Sequence, residues 1–511
     1  MINTDHLRIV AIRRGVMKIV LISMPDVAPL IMHESAFHMP NLGIASIGAN
    51  IDDDHDVYLI DLIRKRRTIH RYLSRMLLKI RPHIVGLTSM TWQFGTCLKL
   101  IRLIKQLLPE VKIIIGGYHA TLMYEEIGDS PEAEQIDFIV RGEGEETFRR
   151  LVNALDGKDR IETIPSLSFK NENRFVHNHR SELLDLASLK LPIRDKRRLT
   201  WGYHIMNRSA EVIETSRGCT HNCNFCCIRH MYGRSFRPFP IQRILADIDD
   251  IYYTKKCRWI FVSDDNMVLS PPRVIELCDA IIARGYRNLH FVVQADCVTI
   301  SRNDEMVRRM AMAGFKSVFL GIENVSKINL KAAQKGDIVD AARKAIDICH
   351  KYKIMVVGGM IFGFPDDTEK EIIENYRFLK STGVDAPYCQ ILTPYPKTGI
   401  RQYLLDENLV TDPDDFSRYN GMWANVRTRT LDAETMQYMV WYHRQNILGW
   451  WEPSQWAREE GRHWIAIWIY IFRPLLKIVV GRSLKKYGWR GRYEREIAHL
   501  KTVNQFPDLE T

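Results

Sequence analysis

Cysteine is scarce in this chain: ten residues in 511. That is too thin for a disulfide scaffold, so a reducing compartment is expected and clustered thiols weigh as metal ligands. Residues 1–14 hold no uninterrupted apolar core, so no secretory leader is read there and the cytoplasm is the expected location. No apolar run reaches the roughly 20 residues that a membrane span needs. The longest candidate, 464–480, is broken by Arg473, Pro474 and Lys477; it reads as an interfacial segment, with a buried core helix as the other reading. Internal repeats and low-complexity tracts are absent, which sets solenoids and disordered tails aside. The 46% hydrophobic and 26% charged content is ordinary for a globular chain of about three domains.

Acidic residues are missing from two stretches. Residues 63–81 carry eight Lys or Arg and no acid, and 462–495 carry nine with one acid, Glu494, within a net charge of +11. Eight of the eleven tryptophans lie at or after Trp423, among them Trp450, Trp451, Trp456, Trp464 and Trp468, with Arg473, Lys477, Arg482, Lys485 and Lys486 nearby. Tryptophan mixed with cations suits an anionic membrane surface, so peripheral contact at the inner face of the membrane is expected. The 63–81 stretch reads as a solvated helix face, and no nucleic-acid partner is expected.

Residues 18–155 alternate apolar runs with amphipathic stretches. Strands are expected at 18–24, 57–61, 84–89, 112–116 and 138–141, and helices at 43–51, 68–80 and 97–108. Runs such as IVGLTS and KIIIGG fit strands buried on both faces. The fold class is α/β: a doubly wound, Rossmann-like domain over 1–160 whose ligand sits beyond the carboxyl ends of its strands. Residues 161–205 read as an irregular linker with Pro165, Pro192 and a basic run at 194–198. Strands expected at 212–216, 259–264, 290–295, 317–322, 355–362 and 388–392 give a partial (β/α)6 barrel over 206–405, with chemistry at the strands' carboxyl ends. Residues 406–511 read as a mainly helical region.

The segment TSRGCTHNCNFCCIRH follows the first barrel strand and contains C-x3-C-x2-C at Cys219, Cys223 and Cys226. Three thiolates can hold three irons of a cubane [4Fe–4S] cluster, leaving the fourth iron open to a small ligand. A structural zinc site prefers four protein ligands in paired spacings. His221 and Cys227 stand close enough to complete such a set, but no second C-x2-C and no H-x3-H pair occurs. Cys227 reads as a bystander. Cys97, Cys257, Cys278, Cys297, Cys349 and Cys389 read as buried small residues.

Around this motif the chain from about 17 to 401 resembles the cobalamin-binding radical S-adenosylmethionine (SAM) family. The matching pieces are Pro40-Asn41-Leu42-Gly43, Gly116-Gly117-Tyr118-His119-Ala120-Thr121 and Gly142-Glu143-Gly144-Glu145, then the cysteine motif with Phe225 before its third thiol. Asp264-Asp265-Asn266, Gly321-Ile322-Glu323, Ile361-Phe362-Gly363-Phe364-Pro365 and Thr393-Pro394-Tyr395-Pro396 follow. Lys397 stands where the family usually has glycine. The Asp-x-His-x-x-Gly signature of a histidine-ligated cobalt is absent, so the resemblance implies cobalamin without a protein nitrogen on cobalt.

The resemblance implies three cofactors: a [4Fe–4S] cluster, SAM and cobalamin. Gly116, Gly117, His119, Gly142 and Glu143 are the expected cobalamin contacts; Asp264, Asp265 and Glu323 are the expected SAM contacts. It further implies a methyltransferase acting on an unactivated carbon. SAM cleaved at the cluster supplies a hydrogen-abstracting radical, and a second SAM supplies the methyl group through cobalamin. Within the family, length and tail most resemble the hopanoid C-3 methylase. The substrate is then a small molecule or lipid, and the reductant a flavodoxin or ferredoxin. A bacteriochlorophyll methylase or an anaerobic cyclase acting on a tetrapyrrole is the alternative. A cobalamin or iron–sulfur sensor binding nucleic acid is the alternative of another class, but it would have no use for the SAM-site acids.

Overall fold

The computed structural model describes residues 15–26, 37–172, 174–205, 208–445, 488–502, 506 and 509. The tryptophans and cations singled out between 450 and 486, and the 464–480 segment, lie outside the described residues.

The first sheet is built from β1 (Lys18–Ser23), β2 (Asp56–Asp61), β3 (Ile84–Thr88), β4 (Lys112–Gly116) and β5 (Phe138–Val140), all parallel. Its order is β2-β1-β3-β4-β5. The period-2 alternation of a strand sends neighbours to opposite faces. Ile19 and Leu21 enter one core with the helices α1 (Leu42–Ala49) and α5 (Gly144–Leu155), while Val20 and Ile22 enter the other with α2 (Ile69–Ile80) and α3 (Phe94–Leu107). Connections leave β1 and β3 to opposite faces, which opens a crevice at their carboxyl ends. In α2, Ile69, Leu73, Leu77 and Ile80 are buried at helical spacing while Arg71, Arg75 and Lys79 face solvent.

The connector is more ordered than its composition suggests. Leu167–Asn171 and Arg174–His177 form β6 and β7, antiparallel strands that extend the first sheet beyond β5. β7 is four residues long with Phe175 packed on the core, too short to show a period in the sequence. The basic run at 194–198 is a staple. Arg194, 3% exposed, grips both carboxylate oxygens of Asp247 and the Val212 carbonyl, and Arg197 reaches Glu211 at 2.6 Å.

The second sheet runs β8 (Arg208–Ile213), β9 (Trp259–Val262), β10 (His290–Asp296), β11 (Phe315–Glu323), β12 (Met355–Phe362) and β13 (Ala386–Ile391). All are parallel and adjacent in chain order, an open (β/α)6 partial barrel. Two short antiparallel pieces, His204–Ile205 and Phe37–His38, continue its β8 edge. β8 begins four residues earlier than expected because Glu211 interrupts its apolar pattern; the carboxylate is tolerated there by its pairing with Arg197. Past the barrel, helix Ala433–His443 packs back onto it, and Tyr376 Oη donates to the Val440 carbonyl at 2.8 Å. Among the described residues no helix is long and apolar enough to cross a membrane.

Candidate functional site

The carboxyl ends of the two sheets line two clefts, the first shared with the barrel and the second within it. The first is lined by Leu21, Gly86, Thr88, Gly116, Gly117, Gly142 and Gly144 from the first sheet and its loops. Glu214, Arg217 and Tyr232 reach it from the barrel side. Glycine is required at two of these places. Gly117 has φ +92°, and a Cβ there would lie 2.6 Å from Thr88 Oγ1. Gly142 has φ +69°, yet a Cβ there would meet no protein atom within 4 Å, so its open side is the cleft. A bare backbone ledge beside apolar walls fits a large flat ligand.

The second cleft lies at the ends of β9 to β11. Cys219, Cys223, Phe225 and Cys226 line it, opposite Asp265, Asn266, Gln294, Asp296, Glu323 and Lys335. The loop bearing the thiols is pinned at both ends. Ser216–Arg217 pairs with Arg237–Pro238. Gly218 has φ +85°, with room for no Cβ against the Ser235 carbonyl at 2.4 Å, and its N–H donates to Asp265 at 3.0 Å. Further on, Asn224 donates its backbone N–H to the Ala333 carbonyl and its side-chain amide to the Ala332 carbonyl. Burial pushes all three thiols up, so a cation on the sulfurs is what would favour their thiolate form.

The donor spacing separates two chemistries. A tetrahedral zinc with Zn–S near 2.3 Å needs sulfurs ~3.8 Å apart. Among the described residues, only Asp54, His55 and Asp156 bring three ligand atoms of His, Cys, Asp or Glu all within 4.8 Å of one another; Lys158 already occupies that group, at 2.7 Å from Asp54 and 2.8 Å from Asp156. The three cysteines are spread more widely, which suits the corners of a multi-iron cluster. Cys227 does not line the cleft. The scattered cysteines are buried, except half-buried Cys389.

Two expected contacts lie away from the clefts, and a third is already engaged by protein partners. Asp264 is 1% exposed and absent from the cleft wall. Its oxygens accept from Thr215 N–H and Oγ1 and from Ser216 Oγ at 2.5–2.6 Å, so it fixes the start of the cysteine loop. Glu143 touches the first cleft, but its oxygens are taken by Arg217, Arg237 and the Leu184 N–H. His119, in the short helix α4 (Tyr118–Leu122), is 2% exposed and packs between Phe94, at 4.3 Å, and Phe416, at 5.4 Å, away from the first cleft. Its Nδ1 is buried with no hydrogen-bond partner.

Burial lowers the His119 imidazole to about 4. A base held neutral by the fold contributes stability above its unfolded pKa, near 6.5, and loses it as pH falls toward 4. Between pH 7.5 and 5 the loss is about 2 kcal/mol. Urea unfolding of His119→Leu is expected to lack this part of the acid destabilisation; the same loss in wild type and variant would show that His119 is not its source.

Asp265 and Glu323 do face the second cleft. Burial pushes Asp265 up to about 7. Glu323 adopts φ +65° at a register shift between β11 and β12 and pairs with Lys335 at 2.9 Å. Asn266, Gln294, Asp296 and Lys335 complete the polar wall. The signal for Gln294 and Asp296 was their place at the carboxyl end of a barrel strand. Lys397 adopts φ +63°, the conformation glycine takes freely, and its Nζ reaches Glu126 in the first unit at 2.6 Å. The turn is therefore kept without glycine.

Comparison with known proteins matches residues 29–152 to the B12 binding domain and 213–379 to the radical SAM superfamily. The chain belongs to the cobalamin-binding radical SAM family. An uncharacterized methyltransferase of Pyrococcus horikoshii is 29% identical over 441 residues, 85% of this chain and 94% of its own length. The anaerobic magnesium-protoporphyrin IX monomethyl ester cyclase of Cereibacter sphaeroides is 24% identical over 83% of this chain and 69% of its own. The hopanoid C-3 methylase of Methylococcus capsulatus is 26% identical over 73% and 70%. In fold, the radical SAM methyltransferase TsrM of Kitasatospora setae, solved with tryptophan and a SAM analog, superposes with a TM-score of 0.61 at 17% identity, covering 75% of each chain. The protein is thus a radical SAM enzyme of the cobalamin-dependent methyltransferase family, with a [4Fe–4S] cluster, SAM and cobalamin as cofactors. The open ledge of the first cleft fits a corrin, and the three-thiol set of the second fits a site-open cluster.

Proposed function

We propose that the enzyme methylates an unactivated carbon of a large, mostly apolar substrate, a membrane lipid such as a hopanoid at C-3. The observation that carries this reading is the placement of the two clefts. Glu214 and Arg217 of the barrel complete the wall of the glycine-ledge cleft, and the three-thiol loop begins two residues on at Cys219, so both clefts can serve a single substrate. On this reading residues 1–160 hold cobalamin, 206–405 hold the cluster and SAM, and 406–511 form the substrate or membrane face, with 161–205 joining the first two. Cys219, Cys223 and Cys226 hold the cluster; Gly116, Gly117 and Gly142 lie under the corrin; Asp265 and Glu323, with Asn266, Gln294 and Asp296, orient SAM. When bound, these groups supply a hydrogen-abstracting radical and a transferable methyl group. The chain's own part is to fix their separation and keep water out.

The barrel lumen supports an apolar substrate. Phe319 lines the second cleft and meets Tyr388 edge to face at 5.4 Å, with Gln390 bonded to the Tyr388 hydroxyl. The hopanoid methylase relative supports a lipid. The cyclase relative favours a second reading, a tetrapyrrole. Growth with methionine labelled in its methyl carbon, with and without the protein, separates them by mass spectrometry. Label gained in a lipid supports the proposal; label gained in a pigment, or in nothing, contradicts it. A low-potential flavodoxin or ferredoxin is the proposed reductant.

Two outcomes follow. In Gly321→Ala the new Cβ would lie 2.4 Å from Glu323 Oε1 and 3.2 Å from Lys335 Nζ. The displaced carboxylate is expected to weaken SAM binding about tenfold, the scale of a lost charge-assisted hydrogen bond. Equilibrium dialysis on reconstituted protein reads this, and unchanged affinity would remove Glu323 from the SAM site. The full-length chain should co-sediment with anionic vesicles, partly released by high salt, each cation near the surface contributing roughly 1 kcal/mol. A chain lacking 450–511 should lose this while still forming deoxyadenosine. Full-length protein that ignores vesicles would remove the main support for a lipid substrate.

A further inference from the structure

Arg217 ties the wall of the first cleft to the cysteine loop that lines the second. It precedes Gly218 and Cys219, lines the first cleft, and is 6% exposed. Its guanidinium donates to Glu143, the residue before α5, at 3.0 Å, to Glu145 in the first turn of α5 at 2.6 Å, and to Glu214 at 3.0 and 3.2 Å. The two partners across the boundary are themselves held. Glu143 also accepts from Arg237 at 2.9 Å and from the Leu184 N–H at 2.9 Å; Glu145 accepts from Ser46 Oγ at 2.8 Å. Glu143 and Glu145 alternate with Gly142 and Gly144, the glycines of the ledge. The chain on either side of Arg217 is equally constrained: Asp264 binds Thr215 and Ser216, and Asp265 binds the Gly218 N–H. A displacement of the ledge therefore has a stiff route to Cys219, through one planar fork that spans three carboxylates.

We propose that Arg217 is a positioning residue that couples occupancy of the first cleft by a corrin to the geometry of the cluster loop. This rests on the cofactor assignment above and adds a function to it. The ledge and the cysteine loop cannot move independently, so a corrin settling on 142–144 alters the environment of Cys219. Only arginine meets all three acids at once; a lysine ammonium offers a single centre.

The test uses the full chain, reconstituted anaerobically with iron and sulfide. The paramagnetic resonance spectrum of the reduced cluster is recorded with SAM, before and after adding hydroxocobalamin. Three variants are compared. Arg217→Lys keeps the charge and loses the fork. Glu145→Gln keeps the shape and loses the charge. Glu126→Gln removes the exposed Lys397 pair, which also bridges the two units but touches neither cleft. In the unsubstituted protein and in Glu126→Gln, cobalamin is expected to shift the cluster spectrum. In Arg217→Lys and Glu145→Gln, with iron still bound and cobalamin still taken up by absorbance, the shift should be lost. A merely structural role would lower the melting temperature and leave the shift in place. An equal shift in all four proteins, or none in the unsubstituted one with both cofactors bound, overturns the coupling. An unsubstituted protein that takes up no iron or no cobalamin overturns the cofactor assignment, and the coupling with it.

Discussion

Alanine at Cys219, Cys223 or Cys226 is expected to abolish iron uptake and deoxyadenosine formation outright, while Cys227→Ala keeps both. Each of the three thiols lines the second cleft, and the fourth does not. A cubane held by three protein sulfurs has no spare ligand, so the loss of one is not graded. Iron and sulfide analysis of the four purified variants, with deoxyadenosine measured alongside, checks this. Full iron in any of the three, or its loss in Cys227→Ala, would move the cluster assignment.

Arg194→Ala is expected to cost about 3–5 kcal/mol of stability, the range for breaking a buried ion pair from one side. Arg194 joins the connector to the barrel through Asp247, Glu211 and the Val212 carbonyl, all at buried positions. Removing it strands the Asp247 carboxylate and leaves a void. Chemical denaturation read by circular dichroism measures the loss; a change below about 1 kcal/mol, the scale of exposed pairs, would contradict it.

The contrast between Arg194 and the strands shows what the sequence made legible. The apolar runs of β1, β3 and β4 announce themselves because both sheet faces are covered. The (β/α)6 order was likewise readable from strands at regular spacing. β6 and β7 were not, because each is only four or five residues long and carries two apolar side chains, too few to establish a period. The basic run at 194–198 read as part of an irregular linker because its acidic partners, Glu211 and Asp247, are distant in sequence and adjacent only after folding.

The site divides the same way. The cysteine spacing is a local signal, and its three thiols do share one cleft. Asp264 and Asp265 are neighbours that look alike in sequence. Just past the end of β9, Asp264 is turned onto the start of the cysteine loop and Asp265 into the cleft. Glu143 looked like a cofactor contact because it sits among ledge glycines; only the structure brings Arg217 and Arg237 onto it. His119 adjoins Gly117, yet the helix turn that begins there points its ring into the Phe94 and Phe416 pocket.

The most direct test of the two-cofactor account is paramagnetic resonance with metal analysis on anaerobically reconstituted full-length protein supplied with cobalamin. The account predicts about four irons per chain, a signal from the reduced cluster, and a Co(II) signal without nitrogen superhyperfine splitting from the protein. Zinc in place of iron, no retained cobalamin, or a nitrogen splitting that vanishes in His119→Ala would contradict it.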